Sequence, residues 1–263
     1  MQFKSQLKAR KDILSYGFLG LVGMFGAAYL GADGGPGWVT AGWLVVVGLS
    51  AWGLGWSAAS LMGALKSPEE GAKRKAAEIG IWLALTLVAM GAACWMMGGQ
   101  TRSLFPALAL ISLSVGMLQK PGWISGIIWG FGGSLLAMVG WAAVNPSLFS
   151  VKNGLLWFLA AFLFLRLMGC EAGREAPQAE GTGIEDRVDY SQEAARLVHL
   201  VSLAPLFFLG QMAGMGVIYG ILLFFMLVVS EGQYRKVGGR EWSQANYLLG
   251  ILLVAALLAG RVV

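Results

Sequence analysis

Long apolar segments follow one another along almost the whole chain, and this repetition constrains the fold more than any other feature. A helix that crosses the roughly 30 Å hydrocarbon core of a bilayer needs about 20 apolar residues. Nine stretches approach or exceed that length: 13–31, 39–65, 78–98, 104–118, 123–144, 153–170, 194–210, 212–230 and 244–260. The sequence therefore predicts an all-α integral membrane protein with about nine transmembrane helices.

The composition supports one membrane domain over 1–263. Hydrophobic residues make up 57% of the chain and charged residues only 13%, against about 25% charged residues in soluble domains. Too little polar surface exists to cover a water-soluble globule, so the expected partner is the lipid bilayer. The net charge of +5 then concerns headgroups and topology, and we predict no nucleic-acid partner.

Few residues suit disulfide, zinc or haem chemistry. The chain has two cysteines, Cys94 and Cys170, and one histidine, His199. Neither a disulfide framework nor a histidine cluster follows from so few residues at such spacing.

The distribution of cations predicts the orientation. With the N-terminus inside, three of the 19 Lys and Arg residues fall on the outer side, Arg102, Lys152 and Arg261, and the other 16 fall on the inner side. This bias predicts a bacterial inner-membrane protein with a cytoplasmic N-terminus and an external C-terminus. The charged loops 66–77 and 171–193 then face the cytoplasm.

Glycines recur at the spacing of close helix contacts. Gly122, Gly126 and Gly130 lie in the fifth span, and Gly210 and Gly214 lie near the eighth. Such faces let helix backbones approach closely in lipid, so we expect helix packing there. Lining a substrate path is the alternative.

Five stretches carry a resemblance to a known family. In chain order they are "LKARKDILSYGFLGLVGMFGAAYLG", "GWSAASLMGALKSPEEGAKRK", "LQKPGWISGIIWGFGGSLLAMVGWAAV", "VDYSQEAARLVHLVSLAPLFFLG" and "SEGQYRKVGGREWSQANYLLGILLVAALL". With motif loops after the second and sixth spans, the chain resembles the UbiA family of intramembrane prenyltransferases, and its 4-hydroxybenzoate polyprenyltransferase branch in particular.

The resemblance implies a UbiA-like bundle that transfers a polyprenyl group from its diphosphate to an aromatic or lipid acceptor, such as a quinone precursor. In the family, two Asp-rich motifs hold Mg²⁺, which bridges to the diphosphate. Diphosphate leaves readily only when its charge is neutralised, and Mg²⁺ prefers oxygen ligands. We therefore expect Mg²⁺ as the cofactor if the protein is active.

The first family motif is not retained. Its Asn and two Asp positions fall on Gly63, Ser67 and Gly71. Glu69 and Glu70 lie close by and are candidate metal ligands. The stretch "SPEE" is also typical of a helix start, with proline in the first turn and acids near the positive end of the helix dipole.

A pair of acids survives at the second motif. Glu171 and Glu175 are four residues apart, so both carboxylates would share a face if the sixth helix continues through them. They are candidate Mg²⁺ ligands. Arg174 lies between them, and an ordinary charge pair at a solvated helix end explains the same pattern.

Cations beside these motifs are candidates for binding the diphosphate, and the positive-inside rule explains them equally well. They are Lys66, Lys73, Arg74, Lys120 and Arg174.

The resemblance also places Arg196, His199 and Asn246 at the mouth of the pocket. The alternative is an arginine that extends to the headgroups and a packed histidine. Arg166, one turn before the end of the sixth span, is either functional or extends to the inner headgroups.

Three functions remain open. The first is an active or altered prenyltransferase. The second is a relative without catalysis that binds a lipid, a quinone or a partner protein. The third, a small-solute transporter, is disfavoured because charges at the membrane midplane are nearly absent and no inverted repeat is evident.

Overall fold

The fold is a bundle of α-helices. The computed structural model describes the backbone of residues 2–32, 35–66, 71–118, 122–145, 147, 153–174, 185–237 and 242–260. Within these ranges the helices are α1 (Gln2–Gly31), α2 (Trp38–Leu65), α3 (Ala72–Met97), α4 (Gly99–Met117), α5 (Trp123–Ala142), α6 (Gly154–Arg174), α7 (Glu185–Val201), α8 (Ala204–Met212), α9 (Val217–Val237) and α10 (Trp242–Gly260).

The helices have the length and composition of membrane-spanning segments. Among the described residues, six segments are long and apolar enough to cross a bilayer, and the apolar parts of α9 and α10 are somewhat shorter. The α7–α8 region counts as one of the six, because the segment Glu193–Met212 spans both. With α4, nine segments result, which confirms the predicted all-α membrane class.

Two predicted spans have different boundaries in the structure. The seventh is interrupted after Val201, where Ser202 Oγ donates to the carbonyl oxygen of His199 over 2.6 Å. The first turn of α8 contains a proline, which has no backbone N–H to continue the hydrogen-bond ladder. The eighth begins at Val217 instead of 212. Gly214, with φ +63°, lies in the intervening turn.

The predicted cytoplasmic loops are partly helical. α3 begins at Ala72, so the cluster Lys73–Lys75 forms its first turn, and α6 continues to Arg174. α7 begins at Glu185, before the predicted end of the second loop.

Two buried cores form the bundle. One joins α1, α5, α6, α8, α9 and α10, and the other joins α1, α2, α3, α4 and α5. Because α1 and α5 belong to both, they form the boundary between the two halves.

Two of the three predicted glycines of the fifth span, Gly126 and Gly130, pack against α6. A Cβ atom on Gly126 would lie 2.7 Å from the carbonyl oxygen of Met168, and one on Gly130 would lie 2.7 Å from that of Phe164. These distances leave no room for a side chain, so α5 and α6 contact each other through their backbones. Gly210 packs against the ring of Tyr219. Gly214 does not show the predicted packing, because no described atom lies within 4 Å of its Cβ position.

Candidate ligand cavity

A cavity of about 480 Å³ lies between α1, α2, α4, α5 and α6, where the two cores meet. We name it the central cavity. One face of α2 forms a long wall, because its lining residues recur every three or four positions. From Gly48 to Gly63 this wall extends about 22 Å at about 1.5 Å per residue. Its members are Gly48, Ala51, Trp52, Gly55, Trp56, Ala59, Ser60 and Gly63.

One end of the cavity holds a carboxylate. Ser125 Oγ donates to Oε2 of Glu171 over 3.3 Å, and both residues are buried and line the cavity. Ser125 lies in the first turn of α5 and Glu171 in the last turn of α6. Gly63, near the end of α2, and Leu118, directly after α4, line the cavity on the same side of the bundle. This is the carboxylate end.

The middle of the cavity is aromatic. Tyr16 and Trp129 meet edge to face with ring centroids 5.1 Å apart, and Trp52 and Trp56 lie 5.9 Å apart on α2. The indole N–H of Trp52 has no hydrogen-bond partner among the described residues. Such rings present electron-rich faces to a ligand, together with a large apolar area.

Of the predicted metal ligands, the structure places Glu171 at the cavity. The side chain is 2% exposed, and α6 does continue through it. Glu69, Glu70 and Glu175 lie outside the described residues. Gly63 and Gly71, two motif positions, carry no side chain that could bind a metal.

The described side chains do not form a Mg²⁺ site by themselves. No group of three or more His, Cys, Asp or Glu side chains capable of holding a metal occurs among them. Glu171 supplies one carboxylate, whereas Mg²⁺ requires near-octahedral oxygen coordination. Any cage would need ligands from the remaining glutamates.

The predicted diphosphate-binding cations that can be located are exposed. Lys66 follows the last residue of α2, and Lys73 and Arg74 lie in the first turn of α3. Arg74 forms an ion pair of 3.4 Å with Glu78. None of the three lines the central cavity where the structure describes its walls. Lys120 lies outside the described residues, and Arg174 is described only in its backbone.

Arg166 is the centre of a second polar cluster. Its side chain is fully buried; Nη1 donates to Ser230 Oγ over 2.5 Å and Nε to Asn246 Oδ1 over 3.4 Å. Cys170 Sγ lies 3.6 Å from the same Asn246 oxygen. The alternative that Arg166 extends to the headgroups is therefore wrong, because its guanidinium is enclosed by α6, α9 and α10.

The three residues predicted at the pocket mouth lie in the other half of the bundle. Arg196 Nη2 contacts Glu231 Oε1 at 2.6 Å, joining α7 to α9, and Nη1 contacts Glu193 at 3.3 Å. His199 and Asn246 are both buried. None of the three is among the described residues that line the central cavity.

Several lining residues were not predicted from the sequence. The stripe of small and aromatic residues on α2 was visible in the sequence, since Trp52 and Trp56 are four positions apart. Ser125 and Tyr16 had no comparable signal. Ser125 meets Glu171 across 46 positions, and only helix packing brings them together.

Comparison with solved structures identifies the fold. A structure of digeranylgeranylglyceryl phosphate synthase matches with a TM-score of 0.63 and 16% identity, over 100% of this chain and 98% of that one. An apo structure of a UbiA homologue from Aeropyrum pernix K1 matches with a TM-score of 0.65 and 14% identity, over 95% of this chain and 97% of that one.

These matches show that the chain has a helical membrane-protein fold, and the fold is that of the UbiA homologue. The resemblance predicted from the sequence is thereby confirmed at the level of the fold. No protein-family model and no curated protein matches the chain.

Proposed function

We propose that this protein is a membrane prenyltransferase that transfers a polyprenyl group from its diphosphate to an aromatic or lipid acceptor, such as a quinone precursor. The central cavity carries the proposal. It combines an elongated wall of small and aromatic residues along α2 with a buried carboxylate at one end. An isoprenoid diphosphate has the same division into a long apolar chain and a charged head.

The aromatic residues suit the transfer chemistry. When the bond between the allylic carbon and the diphosphate oxygen breaks, the diphosphate leaves with the electron pair and positive charge develops on the prenyl group. The ring faces of Trp52, Trp129 and Tyr16 attract such charge. A cavity that excludes water protects the cation until the acceptor forms its bond to the prenyl carbon and loses a proton.

The diphosphate would lie at the carboxylate end, closest to the cytoplasmic ends of the helices. Lys66, Lys73 and Arg74 are among the described cations on that side under the predicted orientation, and they can attract the anion. Mg²⁺ stays a prediction. It requires Glu69, Glu70 or Glu175 to join Glu171, since one carboxylate does not hold the ion.

A second candidate is an isoprenoid-binding protein without transfer activity. It is favoured by the loss of side chains at the first motif, where Gly63 and Gly71 stand, and by the single described carboxylate at the cavity. Binding requires the apolar wall alone, whereas departure of the diphosphate requires its charge to be neutralised.

Calorimetry of the purified protein with geranylgeranyl diphosphate, with and without Mg²⁺, tests the binding. In the prenyltransferase, Glu171→Gln weakens binding on the order of tenfold when Mg²⁺ is present, because a metal ligand is lost. Without Mg²⁺ the same substitution leaves binding equal or tighter, because one negative charge near the anion is removed. Glu193→Gln, with the same change of charge on an exposed side chain of α7 away from the central cavity, is the matched control.

Mass spectrometry of products then separates the two candidates. The protein is incubated with the diphosphate, Mg²⁺ and phenolic or lipid acceptors. Prenylated product supports transfer, and binding without product supports the second candidate. Absence of binding under every condition rules out both.

A further inference from the structure

The end of the central cavity opposite the carboxylate is lined by Gly20, Gly48, Leu108 and Leu136, one residue each from α1, α2, α4 and α5. Leu108 and Leu136 contribute the large apolar side chains. No acid or base is among the described residues lining this end. We name it the apolar end.

The residues around the apolar end are closely packed. A Cβ atom on Gly20 would lie 2.8 Å from Cδ1 of Leu136, so the Leu136 side chain rests directly on α1. A Cβ atom on Gly48 would lie 3.2 Å from Cε of Met24. Met24 and Leu108 are 0% and 1% exposed and belong to the same core. A chain that enters from the carboxylate end therefore meets packed side chains here.

From this arrangement we infer that Leu108 and Leu136 form a floor that sets the length of the isoprenoid chain the cavity accepts. The inference rests on the proposed function, because it concerns the ligand of the same cavity. It adds a specificity determinant to that proposal.

Burial alone would discriminate poorly between chain lengths. An isoprenoid tail that enters the cavity leaves a membrane or micelle, which is about as apolar as the cavity itself. Extra units that fit therefore add little affinity. A unit that exceeds the available depth must displace packed side chains, and overpacking a dense interior is unfavourable. The preference should consequently appear as an upper limit on length.

Competition binding with a graded series of prenyl diphosphates, from geranyl and farnesyl to geranylgeranyl and longer homologues, measures this limit in one detergent. In the unaltered protein we expect affinity to fall roughly tenfold at the first homologue that exceeds the floor, the scale of an overpacked core. Leu108→Ala and Leu136→Ala should each move the fall to a longer homologue, because they deepen the cavity.

Two further variants keep the test independent of general destabilisation. Leu44→Ala removes the same atoms from the same core, and Leu44 is fully buried but is not a lining residue. It should leave the length limit in place. Ala51→Leu adds bulk to the α2 wall of the cavity and should move the limit to a shorter homologue.

The outcomes separate this inference from the function on which it rests. If all four variants show the same chain-length limit, or if no limit appears at any length, the inferred floor is wrong and isoprenoid binding still stands. Failure of every homologue to bind the unaltered protein overturns the proposed function, and the floor with it.

Discussion

The Nε atom of Arg166 donates a hydrogen bond to Oδ1 of Asn246 over 3.4 Å, although 80 positions separate the two residues. Both side chains are fully buried within the membrane-spanning part of the bundle. With Ser230, they connect α6, α9 and α10, and none of the three is among the described residues that line the central cavity. A charged group held at such depth makes this cluster a determinant of stability.

Replacing Arg166 should therefore destabilise the protein. Arg166→Leu leaves the buried polar atoms of Ser230 and Asn246 without this donor, at about 1–3 kcal/mol for each group. We expect a clear fall in the melting temperature in detergent. Arg74→Leu is the control, since that side chain is 88% exposed and its ion pair contributes little. Equal melting temperatures for the two variants would contradict the structural role of Arg166.

The backbone contact between α5 and α6 should not tolerate a methyl group. A Cβ atom on Gly130 would lie 2.7 Å from a backbone oxygen of Phe164, so Gly130→Ala must separate the helices, at about 1–3 kcal/mol. Gly220→Ala is the comparison, because nothing lies within 4 Å of its Cβ position. That variant should be neutral or more stable by about 0.5–1 kcal/mol. Denaturation of both variants in the same micelles measures the difference, and a stable Gly130→Ala protein would refute the contact.

The ion pair between α7 and α9 should contribute more than its neighbour within α7. Arg196 and Glu231 are 30% and 22% exposed in their side chains, whereas Glu193 is 59% exposed. A double-mutant cycle with Arg196→Gln and Glu231→Gln should give the larger coupling free energy, because this pair is the less exposed one. The cycle with Arg196→Gln and Glu193→Gln should give the smaller one, since exposed ion pairs contribute little. The idea fails if the second coupling equals or exceeds the first.

The two ends of the chain should lie on opposite sides of the membrane. Nine crossings and the bias of cations toward one side predict a cytoplasmic N-terminus and an external C-terminus. A fluorescent protein fused to the N-terminus should fluoresce, and alkaline phosphatase fused to the C-terminus should be active. The reciprocal fusions serve as controls. If both ends lay on the same side, the number of crossings would have to be even, and the prediction of nine crossings would be wrong.

The hydropathy pattern of the chain predicted the membrane class and nearly all the helices, and the exceptions have local causes. The seventh span is broken because Pro205 interrupts the backbone hydrogen bonds, and α3 and α6 extend into the predicted loops. The sixth span was predicted to end at residue 170, whereas α6 continues through Glu171. The contact of Glu171 with Ser125 could not be predicted. That contact depends on how closely Gly126 lets α5 approach α6.

The membrane class follows from the sequence by itself, because hydropathy summed along a segment does not depend on what the segment packs against. Which face of α2 lines the cavity was decided by the tertiary structure. α2 is apolar around most of its circumference, and lipid is as apolar as a helix interface, so hydrophobicity does not distinguish the inward face from the outward one. Close backbone contacts and the buried partners of Arg166 and Glu171 fix that choice, and these form only when distant helices meet.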